Sequence, residues 1–249
     1  MTEPCAVILA AGKGTRMKSD LPKVLCRVVD RPMIHFVLDA LEEAGIRRHV
    51  IVVGHQADAV KEELASRNGQ IEFVLQEPQL GTGHAVQMCR SQLESVEGPT
   101  LVLAGDSPLV QSASLKKLLA EFGQTQPGLL LGTLKKNDPT GLGRIIRNAE
   151  GEFTGIVEHK DATPEQLEIK EVNMSTYLFR TPDLLWALDH LSNDNAQSEY
   201  YLTDCAQLLR KDNRPVEALP VLQQCESLSI NNVEELQSVD ETMRAMGYA

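Results

Sequence analysis

Four short runs of aliphatic and β-branched residues punctuate the first hundred positions: Ala6 to Ala11, His49 to Val53, Ile71 to Leu75 and Thr100 to Ala104. Their apolar residues stand mostly at consecutive positions, as in strands covered on both faces. Helical patterns fill the intervals. "MIHFVLDALEEAG" sets Met33, Ile34, Val37, Leu38 and Leu41 on one helical face, and Gly45 supplies a stop. "ADAVKEELASR" and "GHAVQMCRSQLE" each read as one further helix. Strand, helix and strand in repeated succession require right-handed crossovers, and so predict a mainly parallel sheet with helices on both sides. Ligands of such a sheet sit at the carboxyl ends of its strands.

From about Gly128 the pattern changes. "GLLLGTL", "GRIIRN", "FTGIVEH" and "VNMSTYLF" are successive strand-like runs, interrupted by the polar excursion "KDATPEQLEIKE". They predict mixed or antiparallel sheet forming a second lobe over the first. Helical segments around Leu184 to Leu191, Tyr201 to Lys211 and Val233 to Met246 close the chain. No internal repeat or low-complexity tract is present.

With 249 residues, 42% of them hydrophobic, the chain can bury the core of one large α/β domain or of a core with an appended lobe. Its net charge of −11 argues against nucleic acid or an anionic membrane as partner, since both select basic surfaces. The five cysteines are scattered and form no C-x-x-C pair, which fits reduced thiols in a cytoplasm. No histidines fall at zinc-site spacing. Val7 to Ala11 is too short to span a bilayer, and the cations follow it rather than precede it, unlike a signal peptide. The expected location is cytoplasmic.

Against that acidic balance, "AVILAAGKGTRMKSDLPKVL" crowds Lys13, Arg16, Lys18 and Lys23 beside Gly12 and Gly14. Glycines after a strand let backbone N–H groups approach an anion closely. The spacing matches neither G-x-G-x-x-G nor a Walker loop, so neither a dinucleotide site nor a P-loop is supported. Two readings remain open on the residues alone: a tight turn followed by a solvated basic surface, or a cradle for a polyphosphate. For the second, one ion pair at ~4 Å and an effective dielectric of about 20 has a Coulomb energy of roughly 4 kcal/mol before desolvation.

"LAAGKGTRMKSDLPKVL" resembles the signature of sugar-phosphate nucleotidylyltransferases. "VLQEPQLGTGHAV", "DPTGLGRI", "GIVEHKDAT", "AQSEYYLTD" and "INNVEEL" are similar, in order, to one branch, the N-acetylglucosamine-1-phosphate uridylyltransferases. In bacteria that activity is usually the N-terminal half of a bifunctional enzyme. The resemblance implies a Rossmann-like three-layer α/β/α fold, with a mixed, mostly parallel sheet and a smaller sugar-binding β lobe. It implies one nucleotidyltransferase domain over 1–249: residues 1–127 mainly for the nucleotide, 128–231 mainly for the sugar, and 232–249 as a C-terminal helix.

It also implies site residues. Leu9, Ala10, Ala11, Gly12 and Gly14 match the backbone along the nucleotide, and Arg16 and Lys23 the catalytic cations on its phosphates. Gln76 matches the reader of the uracil edge, Gly81 and Thr82 the turn beneath the base, and Gly105 the approach to Asp106. Asp106 and Asn231 match the protein ligands of Mg2+. Gly143, Glu158 and Asn173 match the sugar pocket, with Glu199, Tyr201 and Thr203 walling it. Without the resemblance, Asp106 reads equally as a cap of the helix that follows it, and Asn231 reads by default as the N-cap of the last helix.

The implied reaction joins UTP and N-acetylglucosamine 1-phosphate into UDP-N-acetylglucosamine and pyrophosphate. Two departures qualify it. Met174 and Ser175 stand where the branch commonly has Thr-Gly, and a side chain in place of that glycine is expected to bear on the sugar pocket. No hexapeptide repeat follows the last helix, so the acetyltransferase β-helix of the bifunctional relatives is not expected. The alternatives are a nucleotidylyltransferase for another sugar or polyol phosphate, and a non-catalytic regulatory protein that binds sugar nucleotides.

Overall fold

The computed structural model describes residues 2–14, 17, 21–67, 70–195 and 197–248. Its main sheet follows the order β11 (Val216–Leu219), β7 (Leu129–Lys135), β10 (Glu171–Arg180), β6 (Pro99–Ala104), β1 (Cys5–Ala10), β4 (Arg48–Val53), β5 (Gln70–Leu75). Strand β1 pairs in parallel with β4 and β6, and β4 with β5. Strand β11 is parallel to β7, whereas β10 runs antiparallel to both β6 and β7. On this path, therefore, only β10 points the other way. Six carboxyl ends and the amino end of β10 share one edge of the sheet.

The chain first builds outward from β1 to β4 and β5, then returns to lay β6 on the other side of β1. That reversal of strand order opens a crevice between the carboxyl ends of β1 and β6. Helices α1 (Met33–Glu43), α2 (Ala57–Leu64) and α5 (Ser112–Thr125) cover one face, burying Leu38, Val60 and Leu118 with Ile8, Ile51 and Leu103. On the other face lie α3 (Thr82–Gln87), α4 (Arg90–Leu93), α7 (Thr181–Asp189) and α8 (Asp204–Lys211), packed over Val7, Val52, Val102 and Phe179. Each such side chain contributes roughly 1.5–3 kcal/mol on full burial. The three-layer α/β/α sandwich expected from the alternating pattern is thus the observed fold.

A third apolar cluster joins Met33 and Phe36 to a short hairpin, β2 (Arg27–Val28) with β3 (Arg31–Pro32). Val239 and Met243 of the last helix, α9 (Val233–Ala245), complete it. Asp240 accepts a hydrogen bond from Val29 N–H at 2.6 Å, which ties α9 to that hairpin. None of the five cysteines is in a disulfide, and burial raises the thiols of Cys5 and Cys89 to about 11 and about 12, leaving them inert at neutral pH. Among the described residues no helix is long and apolar enough to cross a membrane.

Two local expectations are revised. "GHAVQMCRSQLE" divides into α3 and α4, because Cys89 N–H bonds Val86 C=O at 2.9 Å, three residues back, and tightens the turn. The strands assigned to a second lobe largely complete the main sheet. Leu129 to Leu134 are buried at every position, as a central strand requires. Only β8 (Arg144–Arg147) and β9 (Phe153–Val157) stand off the path, β8 pairing with β10 through Val172 and Arg144. The short helix α6 (Pro164–Leu167), with a Thr163/Gln166 capping box, follows them.

That small β extension is pinned by one ion pair. Arg147 Nε and NH2 donate to the two oxygens of Glu171 at 2.8 and 2.7 Å, and Thr133 Oγ1 adds a third bond at 2.5 Å. Burial pushes the Glu171 carboxyl up, but the bonds from Arg147 and Thr133 outweigh it and hold the net value below 4.5. Arg147→Ala would leave that carboxylate unpaired and is expected to cost about 2–3 kcal/mol in urea unfolding at pH 7. The loss should shrink as pH falls through the depressed pKa, where Glu171 is protonated with or without its partner.

Candidate active site

Beyond β1 the chain passes through Ala11 to Gly14 and re-enters the described region before Lys23, which opens a 3-10 turn over Lys23–Leu25. Gly14 adopts φ +60°, and a Cβ there would stand 2.9 Å from Lys23 Cβ. Glycine is therefore needed both for the conformation and for the approach of the loop to the lysine stem. Lys23 Nζ lies 2.5 Å from Asp106 Oδ2 and 2.9 Å from Asn231 Oδ1. Two oxygens from distant parts of the sequence thus converge on one point at the β1/β6 crevice. The Lys23 ammonium stands there.

Neither oxygen donor caps a helix. The N-cap of α5 is Gln111, well past Asp106. That of α9 is Asn232, whose side chain accepts from Glu235 N–H at 2.8 Å, so Asn231 stands one residue outside the helix. Gly105 N–H donates to Leu9 C=O at 2.9 Å, closing β1 to β6 beside Asp106. Among the described residues, a Cβ at Gly12 would meet no atom within 4 Å, so their packing leaves that position open. Arg16, the other expected catalytic cation, lies outside the described residues.

Gln76 follows β5 and is buried. Its Nε2 donates to Gly81 C=O at 2.9 Å and faces His84 Nδ1 at 3.3 Å, while desolvation lowers the pKa of His84 and keeps that ring neutral. With both amide hydrogens turned inward, Oε1 is the acceptor left for a ligand. Gly81 has φ +98°, and a Cβ there would lie 2.6 Å from Tyr200 O. The next residues dock on the same segment: Gly83 N–H donates to Tyr200 C=O at 2.8 Å, and Leu202 N–H to Thr82 Oγ1 at 3.2 Å.

The expected sugar residues gather around the amino end of β10. Gly143 C=O accepts from Asn173 N–H at 2.9 Å, and the Glu158 carboxylate oxygens lie 3.5 Å from the position of a Cβ on Gly143. Asn173 Nδ2 donates to Tyr177 OH at 2.8 Å. Desolvation raises the pKa of Glu158, and the charges of Asp161 and Asp204 raise it further. Tyr201 is raised by desolvation and then by the charges of Glu199, Asp204 and Glu158, so acidic charge gathers at the expected sugar pocket. Thr203 precedes α8 between Tyr201 and Asp204.

Met174 turns away from that pocket. It packs with the cluster beneath α5, lining a small cavity with Leu103, Val110 and Leu222, whereas Asn173 bonds Tyr177 of the opposite cluster. Exposed Ser175 adopts φ +54° at a bulge in β10, and its N–H donates to Asn173 Oδ1 at 3.2 Å. A glycine fits this backbone without strain.

Sequence reasoning missed Gln79, whose Nε2 donates to Ala11 C=O, and also His84, Asp204 and Glu235. All four lie inside the quoted segments, but the resemblance assigned them no role. A separate charged concavity between α1 and the end of α2 includes Arg31, His35, Asp39, Glu63 and Arg67, but its groups pair with one another and, among the described residues, no expected site residue lines it.

The raised pKa of Glu158 has a measurable sign. Above the folded pKa its charge opposes folding, and below about 4.5 the effect vanishes because both states are protonated. Glu158→Gln should therefore raise the thermal midpoint of the ligand-free protein at pH 7, with the gain disappearing by about pH 4.

Residues 6–162 match the model of the family described as MobA-like NTP transferase domain. The bifunctional protein GlmU of Exiguobacterium sibiricum is 44% identical over 239 residues, 96% of this chain and 53% of that protein. That of Streptococcus mutans serotype c is 45% identical over 239 residues, 96% of this chain and 51% of that protein. The chain thus spans about half the length of these relatives. In fold it is similar to the crystal structure of UDP-glucose pyrophosphorylase complexed with UDP-glucose, at TM-score 0.77, 21% identity and coverage of 99% of this chain and 100% of the other. A structure assigned as a glucose-1-phosphate thymidylyltransferase from Bacillus anthracis, in complex with a sucrose, gives TM-score 0.80 at 18% identity, covering 99% and 97%. The family model spans more than half of its length, and the chain belongs to the MobA-like NTP transferase domain family.

Proposed function

We propose that this domain transfers UMP from UTP to N-acetylglucosamine 1-phosphate, releasing pyrophosphate and forming UDP-N-acetylglucosamine. The observation that carries the reading is the convergence of Asp106 Oδ2 and Asn231 Oδ1 on one cation-sized position at the β1/β6 crevice. One carboxylate and one carboxamide oxygen, completed by substrate phosphates, is a donor set that suits Mg2+. Bound there, Mg2+ would neutralise charge on both anionic substrates. The choice of uracil and of the amino sugar rests on Gln76, "GIVEHKDAT" and "AQSEYYLTD", which carry the resemblance to that branch, together with the GlmU relatives.

The chain's own groups divide the remaining work. Gln76 Oε1 accepts from the base edge, and the backbone at Ala11 and Gly12 lies along the nucleotide. The Lys23 ammonium exchanges Asp106 and Asn231 for the α-phosphate, while Arg16 holds the departing pyrophosphate. Glu158 and Asn173 receive the sugar, with Glu199, Tyr201 and Thr203 beside them. The attacking phosphate oxygen is already an anion and needs no general base. Alignment and charge neutralisation supply the rate.

Pyrophosphate release with UTP, Mg2+ and a panel of sugar and polyol phosphates tests this directly. N-acetylglucosamine 1-phosphate should be the preferred acceptor. Release with glucose 1-phosphate alone would reassign the sugar, and release with none would leave a binding protein. Lys23→Ala and Arg16→Ala are each expected to lower turnover by about 10²–10³-fold, with unchanged far-ultraviolet circular dichroism. Turnover near that of the unsubstituted protein would remove the residue concerned from the catalytic set.

A further inference from the structure

Glu235 stands in the first turn of α9, three residues after the N-cap Asn232. Part of its bonding is ordinary capping: its N–H donates to Asn232 Oδ1 at 2.8 Å, and its Oε1 accepts from Asn232 Nδ2 at 3.1 Å. The other carboxylate oxygen does something a cap does not require. Oε2 accepts from both the backbone N–H and the side-chain Nδ2 of Asn231, at 2.7 and 3.0 Å. Nδ2 also lies 3.1 Å from Ser229 Oγ. Both hydrogens of the Asn231 amide are thus engaged away from Lys23, and Oδ1 is left facing the ammonium at 2.9 Å.

Turning the amide over would set Oδ1 against the Glu235 carboxylate and Nδ2 against the Lys23 ammonium. Both contacts repel. A charged acceptor makes the stronger hydrogen bond, so the carboxylate holds the observed orientation more firmly than a neutral partner would. We infer that Glu235 is a positioning residue for the cation centre: it fixes the Asn231 amide so that oxygen, not nitrogen, faces whatever cation stands between Asn231 and Asp106. The inference rests on the proposed reading of that position as a divalent-cation centre.

Removing a partner of this kind typically weakens metal binding by about 10–100-fold. Mn2+ is a suitable probe, titrated into the protein and followed by water-proton relaxation. The controls are Asn232→Ala, which weakens the cap without touching the Asn231 amide, and Glu235→Gln, which keeps an acceptor in place. Glu235→Ala and Asn232→Ala should both lower the thermal midpoint. Only Glu235→Ala should weaken Mn2+ binding, by about 10-fold or more, with Glu235→Gln recovering most of the loss. Equal Mn2+ affinity in Glu235→Ala and Asn232→Ala would overturn the positioning role.

Asp106→Ala separates the two claims. Were it to bind Mn2+ as the unsubstituted protein does, the cation-centre reading would fail and the inference with it. A metal-free readout bears on Glu235 alone: the side-chain 1H–15N pair of Asn231, identified by its disappearance in Asn231→Asp. It should shift and exchange faster in Glu235→Ala but not in Asn232→Ala, and an unchanged signal in Glu235→Ala would contradict the inference.

Discussion

The ammonium of Lys23 holds together parts of the chain that share no strand or helix. It reaches Asp106 at the end of β6 and Asn231 at the entrance to α9, 208 residues further along than Lys23 itself. Without a cation at that point, a carboxylate and a carboxamide oxygen would face each other across a partly buried crevice. Much of the surrounding structure sets up this meeting. The parallel sheet brings the carboxyl ends of β1 and β6 side by side, Gly14 lets the loop lie on the lysine stem, and α9 docks on the β2–β3 hairpin through Asp240 and the Val239–Met243 cluster.

The same arrangement suits the proposed role of an acidic protein that receives two anions. The chain carries −11 overall, and the proposed sugar side adds Glu158, Glu199 and Asp204 in close company. Anions therefore need a local field of opposite sign, which the Lys23 ammonium provides at the crevice. Carboxylates fit the sugar end for a different reason: hydroxyl groups donate to them. The raised pKa of Glu158 is the folding cost of holding such an acceptor partly desolvated.

The central sheet was legible in the sequence because strands buried on both faces must be apolar at nearly every position. The runs beginning at Ala6, His49, Ile71 and Thr100 became β1, β4, β5 and β6. Which sheet β7 and β10 would join was not legible, since the choice depends on pairing partners far apart in sequence. Leu129 to Leu134 did carry a usable signal, an unbroken apolar run like those of the first half. The break between α3 and α4 had none, because Cys89 is unremarkable in a helical pattern. Of the site, the motifs supplied Lys23, Asp106 and Asn231, and geometry separated Asn231 from its capping neighbour Asn232. Gln79, Asp204 and Glu235 all lie within the quoted segments, but the bond from Gln79 to Ala11 emerges only in three dimensions, whereas the pairing of Glu235 with Asn232 follows ordinary N-cap spacing. Met174 and Ser175, the departure expected to bear on the sugar pocket, go separate ways: the pleat sends Met174 to the opposite face and the bulge exposes Ser175.

Anomalous scattering at the manganese edge, from crystals grown with Mn2+ and UDP-N-acetylglucosamine, bears most directly on the meeting point of Asp106 and Asn231. A peak within about 2.0–2.3 Å of both Asp106 Oδ2 and Asn231 Oδ1, with the Lys23 ammonium moved onto a phosphate, is the predicted result. Ordered nucleotide sugar with Lys23 still seated between the two oxygens and manganese absent from them would contradict it.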